Sequence, residues 1–332
     1  MDIQELTGRQ VLNKEEKMSK ALKRSLLLLF CTFVALGNTG GPLLTRLYFI
    51  HGGKRIWLSS WLISIGWPVL LFPFFILYLY RLKSDKDAKL FFMNPYLFAA
   101  CTILGLVNGF SNYLYGFGLS RLPVSTGGLI GSTQLICTAV FAFLLVGQRF
   151  MFYSINSVVL SIMGAIVLAF HASSDRPANE SNTQYYVGFA MTVGAALING
   201  LSPPLIELMY KKLKQGITYS LPSLVMEILI VTSIFSNVFC TVGMLVKNDF
   251  QVISREAREY GLGETKYYVV LAWSVMIWQV FMLGIIGTIF CASSLWVGVL
   301  VAALLPVTEI LAIVFYHEKF QSEKGLALAL SL

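Results

Sequence analysis

The sequence predicts an all-α polytopic membrane protein, on the evidence of its composition and of its long apolar runs. Apolar residues make up 56% of the 332 positions and charged residues only 13%, against about 25% charged in an average soluble domain. Several runs approach the ~20 residues that a helix needs to cross ~30 Å of hydrocarbon. A soluble core could not bury this much apolar surface, whereas lipid solvates apolar side chains on every face of a helix.

Nine apolar runs are long enough to span a bilayer, and a tenth is shorter. In the first half the predicted spans are Ser25–Leu47, Ile56–Tyr80, Tyr96–Leu119, Val124–Val146 and Phe150–Phe170. In the second half they are Tyr185–Met209, Leu221–Val246, Tyr267–Phe290 and Leu295–Tyr316. The tenth run begins after Lys324 and reaches only Leu332, so the last of ten helices is expected to be truncated in this sequence.

The distribution of Lys and Arg predicts the orientation of the spans. With the N-terminus inside, fourteen of the 25 cations lie on the cytosolic side, and residues 1–24 form a cytosolic tail. The net charge of +8 then faces anionic lipid, so we expect the bilayer as a partner and no nucleic acid. The same topology places the glycosylation triplet Asn179–Ser181 outside.

Two pairs of stretches in the two halves of the chain resemble each other. Thr138–Phe150 aligns with Thr308–Phe320 through the threonine, an alanine and the closing phenylalanine. A weaker similarity links Asn38–Tyr48 with Asn199–Tyr210. Because five spans, an odd number, separate the copies, the copies must have opposite orientations in the membrane, as in transporters built from inverted repeats.

The predicted architecture is therefore a ten-helix, five-plus-five inverted-repeat transporter fold. Residues 25–170 form the first repeat, residues 171–184 a connecting loop and residues 185–332 the second repeat. Gly37–Pro42 interrupts span one and Ser202–Pro204 interrupts span six, at corresponding places. Paired interruptions point to a binding site at the repeat interface, although close helix packing is an alternative reason for them.

Carboxyl groups inside the spans are the first candidates for function, because a charge at membrane depth is costly. Glu207 lies near a helix end with Lys211 four residues later, so we expect it to reach the membrane surface in an ion pair. Glu227 and Glu309 lie deeper. A carboxyl that is costly to ionise suits a group that gains and loses a proton, which predicts proton coupling at both positions. The alternative is that each joins helices as a protonated hydrogen-bonding group.

Uncharged polar side chains on the third span predict a binding surface. Asn108, Asn112 and Tyr115 follow at i, i+4 and i+7 and share one helical face. Two amides and a phenol offer the donors and acceptors that a ring nitrogen and an exocyclic amine require. Hydrogen bonding between helices is the alternative role of the asparagines.

Three further residues complete the predicted substrate site. Trp61 lies deep enough in the second span to stack on a planar ring. Asn38 and Gln134 are weaker additions from spans one and four.

Several runs of the chain also resemble one known family. Gly37–Leu44, Gly52–Trp61, Gly66–Pro68, Leu305–Ala312 and Phe315–Phe320 are similar to the plant purine permeases of the drug/metabolite transporter superfamily. The resemblance implies a ten-helix importer, with protons as the coupling ion and no other cofactor, expected in the plasma membrane. It also implies a small heterocyclic substrate, such as a purine base, a cytokinin or an alkaloid.

Two positions depart from the pattern of that family. Ile63 stands where members often have Glu or Gln, and Leu229 stands where they often have Gln. Both changes remove hydrogen-bonding capacity, so a more apolar heterocycle than adenine becomes a plausible substrate.

Other function classes find less support in the residues. His51, His171 and His317 all lie at span ends, so no Ser/His/Asp or His/Cys constellation can be proposed, and we expect no enzyme. The five cysteines lie inside apolar segments without metal-ligand spacing, so we expect no metal site. A channel or a non-transporting receptor for the same ligands remains an alternative, and the sequence leaves the oligomeric state open.

Overall fold

The structure is a computed structural model that describes residues 3–84, 93–147, 159, 181–214 and 221–316. Within these residues the chain forms eleven helices and no strand. The first five are α1 (Ile3–Ile50), α2 (Ile56–Ser64), α3 (Trp67–Ser84), α4 (Pro95–Arg121) and α5 (Val124–Val146). The others are α6 (Asn182–Lys214), α7 (Leu221–Val246), α8 (Asp249–Glu259), α9 (Glu264–Cys291), α10 (Ser294–Ala303) and α11 (Leu305–Tyr316).

Seven stretches of the described residues are long and apolar enough to cross a membrane. They are α1 from Ala21 onward, α2 with α3, α4, α6, α7, α9, and α10 with α11. The fourth predicted span is the 23-residue helix α5. An integral, multi-pass membrane protein is therefore confirmed. The fifth and tenth predicted spans and Asn179 lie outside the described residues.

The interruptions of the spans differ from those predicted. α1 continues through Pro42 and α6 through Pro203 and Pro204, so the predicted breaks in spans one and six are wrong. Membrane helices tolerate proline where neighbouring groups satisfy the freed backbone carbonyls. The breaks lie instead in span two, between α2 and α3, and in span nine, between α10 and α11.

The break in span two lies just before a proline, which weakens the helix there. Pro68 has no backbone N–H, so it cannot donate to the carbonyl of Ser64, four residues earlier in the helical ladder. The chain turns at Ile65 and Gly66, where the N–H of Ile65 bonds the carbonyl of Trp61. The half-helix α2 therefore ends inside the predicted span.

Glycines decide how closely the main helix pair can pack. α1 lies along α9, in the most extensive helix contact of the described chain. A Cβ on Gly41 would lie 2.9 Å from the Trp278 ring, and one on Gly284 would lie 2.7 Å from the backbone N of Val34. Both distances are too short for a real side chain, so the Gly/Pro-rich stretch of span one serves close packing rather than a helix break.

One end of the molecule carries a cluster of ion pairs and phenols that the sequence did not predict. This is the end that the cation distribution predicts to be outside, and we call it the outer end. The short helix α8, expected to be a loop, packs here with Asp249 and Glu256 buried. Arg55 contacts Asp249 Oδ1 at 3.3 Å and Glu256 Oε2 at 3.7 Å. The hydroxyls of Tyr48 and Tyr267 donate to Glu256 Oε1 at 2.5 and 3.1 Å. These five residues are the outer polar cluster.

Burial affects the ionisation of groups around this cluster. It raises the pKa of Asp249, although the Arg55 guanidinium opposes the change. Burial, followed by the nearby Glu256 carboxylate, raises the pKa of the Tyr260 phenol to about 12. The Tyr260 phenol beside the cluster therefore stays protonated and donates to the carbonyl of Leu47, while Arg55 partly offsets the cost of a buried carboxylate in the cluster.

Candidate functional site

A central cavity lies among the spans of both halves. Its volume is about 160 Å³. This is well above the roughly 10–15 Å³ that one water needs, so the cavity holds several waters, which a bicyclic heterocycle would displace. Five of the predicted site residues line the cavity: Asn38, Asn108, Asn112, Tyr115 and Gln134.

The two asparagines of α4 each have one polar end engaged with a neighbouring helix. Asn108 Oδ1 accepts a hydrogen bond from Ser202 Oγ of α6 at 2.7 Å. Asn112 Nδ2 donates to Ser236 Oγ of α7 at 3.2 Å. The amides therefore join helices, which is one of the two roles that the sequence left open, and they also face the cavity. The other end of each amide has no hydrogen-bond partner among the described residues.

The amides of spans one and four are arranged in a related way. Asn38 Nδ2 donates to the carbonyl of Val301, in the second half of the chain, at 3.4 Å. Gln134 Nε2 donates to the carbonyl of Asn199, also in the second half, at 3.4 Å. Each side-chain oxygen remains available to a ligand. The cavity wall thus offers acceptors from spans one and four besides the groups on α4.

The aromatic part of the cavity wall consists of Tyr115, Trp278 and Phe281. The rings of Tyr115 and Trp278 meet edge to face with centroids 5.7 Å apart, and Trp278 Nε1 donates to Thr45 Oγ1 at 3.3 Å. Sequence reasoning missed Trp278. Its position was a usable signal, because tryptophans concentrate at membrane interfaces, whereas Trp278 lies in the middle of α9.

The expectation that Trp61 stacks on the substrate is not supported by its position. Trp61 does not line the cavity: its Nε1 donates to Thr241 Oγ1 at 3.0 Å, and its ring meets Phe250 edge to face. The reason is the rotation of α2, which turns Ile63 and Ser64 towards the cavity instead. The aromatic surface predicted for α2 is supplied by α9.

Of the two predicted proton-coupling carboxyls, the structure describes the side chain of one. Glu227 is fully buried in α7 but does not line the cavity. The cavity-facing stripe of α7 includes Leu229, Thr232 and Ser236, and the helical period places Glu227 on the opposite side of the helix. Glu309 lies in α11, but its side chain is outside the described residues.

Glu207 forms the predicted ion pair, with Lys211 Nζ 3.7 Å from its Oε1. The expectation that it reaches the membrane surface is wrong, because only 8% of the residue is exposed. Its Oε2 instead accepts hydrogen bonds from the backbone N and the Oγ of Ser294, at 2.8 and 2.6 Å. A carboxylate there satisfies the first N–H group of α10 and complements the positive end of that helix.

The chemistry of the cavity wall favours a neutral ligand. None of the described lining residues is charged, whereas amides, hydroxyls and aromatic rings are present. Ile63 and Leu229, the two departures from the family pattern, both lie on the wall. Such a site can hold an uncharged planar ring by hydrogen bonds at its edge and apolar contacts on its faces. Among the described residues, no group of three or more His, Cys, Asp or Glu could hold a metal.

Known proteins resemble this chain over almost its whole length. Residues 25–332 match the protein family described as purine nucleobase transmembrane transport. Purine permease 3 of Arabidopsis thaliana is 46% identical over 312 residues, which cover 93% of this chain and 88% of the relative. Purine permease 2 of the same plant is 48% identical, with 94% and 90% covered. One crystal structure, 16% identical, covers 92% of this chain and 94% of its own with a TM-score of 0.54, which shows a shared fold alone.

Proposed function

Because this chain belongs to the purine nucleobase transporter family, we propose that it is a proton-coupled carrier that imports purine-like heterocycles. Its relatives are permeases and not enzymes. Within that family the proposed substrates are nucleobases, cytokinins and alkaloids, and the proposed location is the plasma membrane. The wild-type cavity selects among these substrates by hydrogen bonding and apolar contact rather than by charge.

The observation that carries this proposal is the uncharged, amide-lined cavity. A heterocycle that enters the membrane loses its hydrogen bonds to water, and each loss is costly unless a protein group replaces it. Asn108 and Asn112 offer such groups beside the aromatic surfaces of Tyr115 and Trp278. The apolar Ile63 and Leu229 favour heterocycles with more apolar surface than adenine.

Proton coupling is proposed to involve Glu227. A carboxyl that is fully buried within a span is costly to ionise, so uptake and release of its proton can be coupled to the arrangement of its helix. Because Glu227 faces away from the cavity, it would act through the position of α7. That helix carries Leu229 and Ser236 on the cavity side. Glu309 remains a second candidate for the same role.

The ten-helix inverted repeat is proposed as the frame for this transport. In such a fold span one corresponds to span six and span eight to span three, so the contact of α1 with α9 has its counterpart in that of α6 with α4. Both contacts are present. The hydrogen bonds from Asn38 to Val301 and from Gln134 to Asn199 join corresponding pairs of spans in the same way.

Uptake of labelled adenine by cells expressing the protein tests the proposal. Uptake should saturate, fall as the external pH rises and collapse with a protonophore, whereas a channel would not saturate. Competition by purines, cytokinins, nicotine-like and isoquinoline alkaloids ranks the substrates. Glu227→Gln should lose the pH dependence or the transport while still reaching the membrane. Uptake indifferent to external pH and protonophore would contradict coupling, and wild-type behaviour of the variant would reassign Glu227 to packing.

A further inference from the structure

Gln279 of α9 is a buried amide whose side chain makes no hydrogen bond among the described residues. Only 4% of the residue is exposed, and neither Oε1 nor Nε2 has a hydrogen-bond partner among the described residues. Leaving both ends of an amide unsatisfied at membrane depth is costly, and native proteins rarely do so. An unsatisfied amide at this position is therefore expected to bind a ligand that supplies the missing hydrogen bonds.

The position of Gln279 connects it with the cavity. Gln279 does not itself line the cavity, but its neighbour Trp278 and the residue three positions on, Met282, do, so it lies at the edge of the cavity-facing side of α9. A Cβ added to Gly66, at the break between α2 and α3, would lie 2.9 Å from Gln279 Oε1. Ser64, just before that break, lines the cavity. The amide therefore lies where the margin of the cavity meets the interrupted helix.

Gln279 differs from the amides already described on the cavity wall. Asn38, Asn108, Asn112 and Gln134 each have one end engaged with another helix. Only the amide of Gln279, among these five, has a donor and an acceptor both uncommitted. An amide of this kind matches an amino group next to a ring nitrogen, the pattern by which Gln reads adenine elsewhere.

We propose that Gln279 belongs to the substrate site and reads the amino and ring-nitrogen edge of the heterocycle. This inference rests on the proposed function. It also accounts for recognition on a wall where Ile63 and Leu229 provide no hydrogen bonds. Gly66 has no side chain, so the space beside the amide that a Cβ would fill stays open at the break in span two.

The test compares two ligands on variants of the full chain. The probes are adenine and 6-methylpurine, in which a methyl group replaces the exocyclic amine, each competing with labelled adenine. Gln279→Leu should weaken adenine about 10- to 100-fold and 6-methylpurine much less, so that discrimination between the two largely disappears. Equal losses for both probes, or unchanged discrimination, would overturn the assignment.

A control variant and a second substitution test whether the loss of discrimination is specific to Gln279. Asn237 of α7 is also buried with an unpartnered Nδ2 in the described chain, but the atoms nearest a Cβ on Gly66 all belong to Gln279, so Asn237→Leu should preserve discrimination. A change as large as that of Gln279→Leu would mean that the effect is not specific. Gly66→Ala should displace the amide and reduce discrimination, and Gln279→Ala added to it should cause little further loss; full additivity would contradict the proposal.

The two proposals fail in different ways. If the wild-type protein takes up none of the proposed purines, cytokinins or alkaloids, the proposed function is wrong. If wild-type uptake is normal and both Gln279→Leu and Gly66→Ala retain full discrimination, only the assignment of Gln279 is wrong. Should Gln279→Leu not reach the membrane, the Gly66→Ala pair decides.

Discussion

The outer polar cluster and the central cavity both gather polar side chains, but the cluster uses its hydrogen bonds internally while the cavity keeps part of them unused. In the cluster, Glu256 accepts from Tyr48 and Tyr267, from the backbone N of Lys54, and contacts Arg55. In the cavity, each described amide has at least one end without a protein partner.

The difference distinguishes a structural site from a binding site. A buried charge is stable where every acceptor is matched by a donor, because desolvation is then compensated by contacts within the protein. A ligand site needs the opposite arrangement, since the hydrogen bonds lost by the ligand must be replaced by protein groups not already committed. Variants in the cluster should therefore affect stability, and variants in the cavity should affect affinity.

The largest expected effect is the loss of stability on Glu256→Ala. The change leaves two phenols and part of Arg55 without their acceptor, which should cost about 2 to 3 kcal/mol of unfolding free energy. Thermal unfolding of the detergent-solubilised protein measures it. Glu259→Ala, on the exposed side of the same helix, is the control and should have little effect. Equal stability of the two variants would show that the cluster does not hold the outer end together.

Asn112→Ala should affect affinity more than stability. Loss of one hydrogen bond to the ligand should cost about 1 to 3 kcal/mol, which is roughly a 5- to 150-fold higher half-saturation concentration. Uptake kinetics and surface labelling measure the two quantities separately. Thr102→Ala, on the same helix but absent from the cavity wall, should leave both unchanged. An unchanged half-saturation concentration for Asn112→Ala would mean that the site lies on other helices.

Trp278 and Trp61 give a further test of the difference between the cavity and the outer polar cluster. Trp278→Leu should weaken substrate by about 2- to 12-fold, since it removes an aromatic contact that adds about 0.5–1.5 kcal/mol beyond area burial. Trp61→Leu removes a hydrogen bond to Thr241 near the outer polar cluster and should leave affinity unchanged. Competition curves with adenine decide between them. The reverse order of effects would return the stacking role to Trp61.

The smallest expected effect is that of Asp249→Asn, within about 1 kcal/mol of wild-type stability at neutral pH. Burial raises the pKa of Asp249 above the ordinary 3.8, so the folded state takes up a proton before the unfolded state does. As the pH falls through the raised pKa towards 3.8, wild type should gain stability relative to the variant. Unfolding temperatures measured across this window test the sign, and a relative loss for wild type would contradict it.

The spans and most of the cavity amides could be predicted because the signals are local. A run of about 20 apolar residues defines a span by itself, and the i, i+4 spacing places Asn108 and Asn112 on one face whatever their neighbours are. Which face of a span meets the cavity is a tertiary property. Trp278 and Gln279 owe their positions to the packing of α9 on the glycines of α1 and beside Gly66, and no local pattern announces that contact.

The outer end was missed for a related reason. The residues that α8 buries include Asp249 and Glu256, so a search for apolar periodicity assigns the segment to a loop. Their partner Arg55 lies some 200 positions earlier in the chain. Similarly, the prolines of α1 and α6 predicted breaks, yet the helices continue, because the surroundings of a proline decide whether it interrupts a membrane helix.

The close packing of α1 on α9 can form only late in the synthesis of the chain. Thr45 and its partner Trp278 are separated by 233 residues, and a ribosome adding roughly 5–20 residues per second needs about 10–50 s to make that length. During this time α1 is already made, while the helix that will cover its glycine face does not exist. Substituting Gly41 or Gly284 with a larger residue should therefore lower the yield of membrane-inserted protein more than it changes transport by the protein that is inserted.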